Sequence, residues 1–219
     1  MKRLLLSMLV ALALTAVSRA DPRLDFGIVA PTLTGSISYA GGASPLVGLN
    51  IEVDNVVGLG GTPANNNVVL DCVGCVLNFT TGASNGAWTW GGGGGTLIEI
   101  VGSIPDLSLG AGTILMSGIF GNAFVIDQGN NSKLSGSGFF DRKNERLATY
   151  YGLGDVPAWS GNWNISFAAT GVSPDAFKSS EIFSGDVVNT PVPEPASMLL
   201  LGSGLLGFAS FARKKIFKS

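Results

Sequence analysis

The chain has 219 residues, 46% of them hydrophobic and 13% charged, with 32 glycines, a formal charge of −2 and no histidine. The missing histidine removes the usual general base of a Ser-His-Asp or Cys-His site and any imidazole-ligated zinc or haem. Ordinary globular chains carry roughly a quarter charged residues, so the apolar excess needs a location, and part of it lies at the two ends.

At the N-terminus, Lys2 and Arg3 precede an apolar run from Leu4 to Val17, and Ser18-Arg19-Ala20 places small residues before Asp21. This is the pattern of a secretory signal peptide, residues 1–20, whose helix is read by the Sec translocon and removed by signal peptidase. This run of fourteen residues is shorter than the roughly 20 of a spanning helix. From Asp21 to Pro195 the chain carries six basic residues against fifteen acidic ones, a balance of −9. Such a body repels nucleic acid and anionic lipid as main partners.

The body, residues 21–189, reads as strands in series. Leu33, Ile37 and Tyr39 alternate with Thr34, Ser36 and Ser38. Ile51 and Val53 alternate with Asn50, Glu52 and Asp54, Leu77 and Phe79 flank Asn78, and Trp163, Ile165 and Phe167 alternate with Asn162, Asn164 and Ser166. Period two with one apolar face is the pattern of a half-buried strand. Leu97 to Val101 and Thr113 to Phe120 are more evenly apolar, as central strands are. Only Asp141 to Ala148 looks helical. Turn clusters such as Gly58 to Asn67 recur between the runs. The expected fold is all-β, a single antiparallel β-sandwich or jelly-roll-like domain.

The candidate sites within the body are few. Cys72-Val73-Gly74-Cys75 lies between apolar runs, with no helix after it to stabilise a thiolate and no further Cys or His to complete a metal site. In an exported chain the expectation is a structural disulfide between Cys72 and Cys75. Trp88-Thr89-Trp90 puts two indoles on one face of a strand. They form either a glycan-stacking platform or part of the core. Glu52 and Glu99 are the carboxylates on which a polysaccharide hydrolase would draw. Asp127-Gln128-Gly129-Asn130-Asn131 lacks the spacing and closing Glu of a calcium loop, so no metal and no cofactor is expected.

The tail, residues 190–219, has three parts. Pro191, Pro193 and Pro195 alternate, which favours extended backbone. Met198 to Ala212 is apolar apart from Ser203 and Ser210. As a helix it spans roughly 22–26 Å, short of a bilayer core of about 30 Å but within what local thinning accommodates. Arg213, Lys214 and Lys215 then form a basic stop that stays in the cytoplasm. A single C-terminal transmembrane helix is expected, with the body on the outer side of the membrane.

Val192-Pro193-Glu194-Pro195-Ala196, the glycine-dotted apolar stretch and the Arg-Lys-Lys stop together resemble the PEP-CTERM sorting signal of Gram-negative bacteria. Ser184 to Thr190 is also similar to the approach to the motif in uncharacterised members. The resemblance implies processing by exosortase, a membrane-embedded transpeptidase-like enzyme. Val192, Pro193, Glu194 and Pro195 would then be the sorting motif, and the apolar stretch a temporary anchor. It further implies a cell-surface or extracellular destination and an association with exopolysaccharide and biofilm. The resulting expectation is a non-enzymatic surface or matrix protein with no catalytic residues. The alternatives are a carbohydrate-binding module using Trp88 and Trp90, and a carboxylate-dependent hydrolase.

Overall fold

The computed structural model describes residues 21–29, 34–127, 131–156, 158–171 and 173–192. The expected signal helix, transmembrane helix and basic stop, and Leu33, lie outside them. Ten strands account for most of the body. They are β1 Arg23–Ile28, β2 Ser36–Tyr39, β3 Pro45–Leu59, β4 Val69–Gly86, β5 Thr89–Gly91, β6 Leu97–Ile104, β7 Leu109–Ile126, β8 Ser132–Lys143, β9 Trp159–Ala169 and β10 Phe177–Pro191. One short helix, α1 Glu145–Tyr150, follows β8, and a 3-10 turn covers Pro105–Leu107. β10 runs two residues past the boundary expected at 189.

The fold is all-β and antiparallel, as the alternation predicts. Its hydrogen bonding also closes on itself. β10 pairs with β9, β9 with β8, β8 with β7, β7 with β6, β6 with β4, β4 with β3, and β3 returns to β10 through β1 and β2. β1 and β2 share one position in the ring, β1 against Asn55 to Leu59 and β2 against Leu46 to Leu49 of β3. β5 and β6 likewise share the position between β4 and β7. The result is an eight-position barrel, the size at which side chains alone fill the interior.

They do fill it. Leu46, Ile51, Val53, Leu77, Phe79, Ile98, Ile100, Phe120, Leu134, Trp163, Ile165 and Phe167 belong to one buried cluster. Phe79 of β4 meets Trp163 of β9 at 4.5 Å between ring centroids, and Phe120 of β7 lies 5.1 Å from the same indole. β4 and β9 are on opposite sides of the ring, so these contacts cross the interior. Each such aromatic contributes about 1.5–3 kcal/mol by burial. Glycine makes the room: a Cβ on Gly48 would collide with the Phe79 ring, and one on Gly136 with the Trp163 indole.

Both ends are stoppered. At one end Tyr39, Trp88, Trp90, Phe167 and Phe177 pack ring against ring. At the other, Tyr151 is fully buried, its hydroxyl within hydrogen-bond distance of Val56 O (3.1 Å) and Val68 O (2.8 Å). Burial raises the Tyr151 pKa, Tyr150 adds to the rise, and a backbone hydrogen bond at Gly58 opposes it. α1 lies over this end, capped by the Asn144 side chain, which accepts from Arg146 N and Leu147 N. The outer face of β9 presents Ser160, Asn162, Asn164 and Ser166. The outer face of β7, by contrast, exposes Ile114, Ile119, Phe124 and Ile126. No helix among the described residues is long and apolar enough to cross a membrane.

Candidate functional site

The two ends of the body leave the barrel together. β1 pairs antiparallel with β10, Leu24 opposite Asn189, so the start of the first strand and the end of the last lie side by side. Asn189 is 1% exposed and its Nδ2 points at Met116 Sδ. Pro191 pairs with Trp159, and Val192 N still donates to Ala158 O at 2.8 Å. Gly60, at φ 71°, passes so close to Asp21 O that no Cβ would fit. Arg23, Arg142, Lys143 and Arg146 gather at this end, four of the six cations between Asp21 and Pro195. Lys143 Nζ stands 4.5 Å over the Trp159 ring. Arg146 reaches Ser108 O at 3.3 Å and lines an open groove with Leu107, Glu145, Thr149 and Tyr150.

What emerges there is matched by a known family model. Residues 191–214 fit the PEP-CTERM protein-sorting motif. The chain carries a PEP-CTERM sorting signal. No curated protein and no solved structure matches the chain. The signal implies export, a membrane-anchored precursor and processing by exosortase. Val192 to Pro195 lie inside the matched range, as do Arg213 and Lys214, with Lys215 directly after it. Only Val192 of these is among the described residues, at the exit just outlined.

In the body of this PEP-CTERM protein, Cys72 and Cys75 are joined as a disulfide. Val53 lies opposite Cys75 while Asn55 lies opposite Asp71, so β4 carries extra residues here. The bond closes that bulge, whose turn uses Gly74 at φ 60°. Cys75 is buried, with Ser103 O near its sulfur and Gly102 beneath it. The site lies within β4, opposite the end of β6.

The indoles do not form a stacking platform. Trp88 and Trp90 are each 1% exposed. Trp88 Nε1 donates to Asp175 O at 2.8 Å and Trp90 Nε1 to Ser44 O at 3.2 Å, so their polar handles are spent inside the protein. This corrects the glycan-stacking alternative, because no indole face is open to a sugar ring. Ala87 and Trp88 have φ 47° and 52° and form the two-residue turn between β4 and β5. A turn of this kind favours Asn-Gly, and Trp is held in it by burial.

Glu52 and Glu99 sit on the outer face of β3 and β6 with β4 between them. Two strand spacings and a two-residue offset put their backbones on the order of 12 Å apart, on a convex surface rather than in a cleft. A different pair of acids interacts. Asp25 of β1 lies opposite Val57 and Val188, and Asp186 is its diagonal neighbour on β10. Burial, then the Asp186 charge, push the Asp25 pKa up to about 6 against the opposing pull of Arg23. Asp25 Oδ1 has no hydrogen-bond partner, while Asp186 Oδ2 accepts from Asn164 Nδ2 at 3.2 Å. Sequence reasoning missed this pair because it joins residues at opposite ends of the body.

Proposed function

We propose that the chain is a surface or extracellular-matrix protein whose barrel is delivered by the Sec route, cut free of its tail by exosortase, and held among exopolysaccharide as a non-enzymatic component. The observation that carries the reading is the sorting motif, matched at residues 191–214 and attached directly to the last strand of a closed barrel. The body fits that destination. It is acidic, which keeps it solvated, and cross-linked by a disulfide of the kind oxidising compartments permit. The outer faces of β8 and β9 place Ser135, Ser137, Asn162 and Asn164 in adjacent rows, amide and hydroxyl groups that suit a hydroxyl-rich polymer better than a charged one.

The test is fractionation of producing cells. The natural chain should be recovered with the extracellular polysaccharide, and Glu194→Ala should accumulate as precursor in the inner membrane. Equal release of both into the medium, with neither bound to polysaccharide, would overturn the proposal.

A further inference from the structure

The chain between the folded barrel and the sorting motif is short enough to impose a steric condition. Val192 is still hydrogen-bonded to Ala158, and Pro193 follows directly. Extended chain covers at most about 3.6 Å per residue, so Glu194 lies within roughly 7 Å of Val192. Fraying adds little. Asn189 and Val187 are buried, which stops peeling at Thr190 and keeps Glu194 within roughly 14 Å of the barrel. A specific protein interface covers about 800 Å² per partner, a disc of roughly 16 Å radius. An enzyme that grips Glu194 therefore overlaps the barrel end. Met198, where the apolar stretch begins, is six residues beyond Val192, at most about 20 Å away. The same end is thus tethered next to the membrane in which the enzyme is embedded.

We propose that the tail-side end of the barrel is part of the surface the sorting enzyme reads, so that the substrate is the motif together with the folded rim from which it emerges. The inference rests on the reading of the chain as an exosortase substrate. The rim flanking the exit is formed by exposed Ala158 and Arg23, with Ser160 beside Thr190. Four of the body's cations, Arg23, Arg142, Lys143 and Arg146, lie here beside the acids Asp21, Asp106 and Glu145, and Lys133 and Lys178 lie at the other end. Reading the rim would make processing selective for a barrel that has closed, because the exit exists only once β10 has paired with β1 and β9.

The experiment follows loss of membrane-bound precursor by pulse-chase in cells producing the full chain. One variant carries, after Val192, a flexible Gly-Ser spacer of about twelve residues that ends in a second Pro-Val, which leaves the barrel and the whole motif from Pro-Val-Pro-Glu-Pro onward intact. A second, Ala158→Glu, changes only the exposed rim, and its melting temperature is checked against the parent. Both should slow processing about fivefold or more. A spacer variant processed at the parent rate or faster would overturn the proposal, whatever Ala158→Glu does. Glu194→Ala separates the two layers: its normal processing would instead overturn the sorting reading beneath.

Discussion

Asp25 shows how a single side chain can cost the fold stability. Its carboxyl has a pKa of about 6 in the barrel against 3.8 when free, through burial and the neighbouring Asp186 charge. Between these values the folded state binds more protons than the unfolded chain, so this contribution lowers stability as pH rises from about 4 to 6 and then stays constant. Asp25→Asn should therefore raise the melting temperature at pH 7.5 by roughly 2–4 °C, the effect of about 1 kcal/mol after discounting for the water that still reaches the group. At pH 4 the gain should vanish. A gain that is equal at both pH values would contradict the assignment. For the indoles, Trp88→Ala or Trp90→Ala should each cost about 3–5 kcal/mol of stability in denaturant titration. A loss under 1 kcal/mol would mean that they are not core. The sequence left these two open between surface and core, because an i, i+2 pair reads the same way on either face of a strand. What decides it is the arrival of Asp175 and Ser44 from distant loops.

At the level of elements, the strands were legible because alternation is a local property. Ile37, Tyr39, Ile51, Val53, Leu77, Phe79, Trp163, Ile165 and Phe167 all face inward as their period requires. The helix was legible only in part: residues 141–143 finish β8, and α1 begins at Glu145 after the Asn144 cap. Closure was not legible. It rests on Leu24 meeting Asn189 and on two ring positions each built from two short strands, and no local pattern encodes such pairings. The hairpin turn at Ala87-Trp88 falls just after the Asn85-Gly86 pair that signals a turn, rather than on it. The Cys72–Cys75 link was legible from what was missing around it, whereas its role as the tie across a bulge in β4 needed the register. Chain-entropy reasoning for so short a loop gives about 2 kcal/mol, so Cys72→Ser should lower unfolding stability by that amount without abolishing the fold. Complete loss of cooperative unfolding would contradict a role limited to tying the bulge.

For the whole molecule, the first and last strands are neighbours, so the barrel closes only when its final strand has been delivered. Arg23, where the first strand starts, and Pro191, where the last one ends, then lie at one end of one folded body. Sorting was legible in the sequence because its signal is local: Pro-Glu-Pro, an apolar stretch and a basic stop follow one another in fixed order. The chemistry of the body was less legible because a barrel whose interior is filled by side chains brings few polar groups together. The most direct test of the central claim is mass spectrometry of the protein recovered outside the cell. The account predicts an N-terminus at Asp21 and no peptide from Leu199 onward. Released protein that retains Met198 to Lys215 would contradict it.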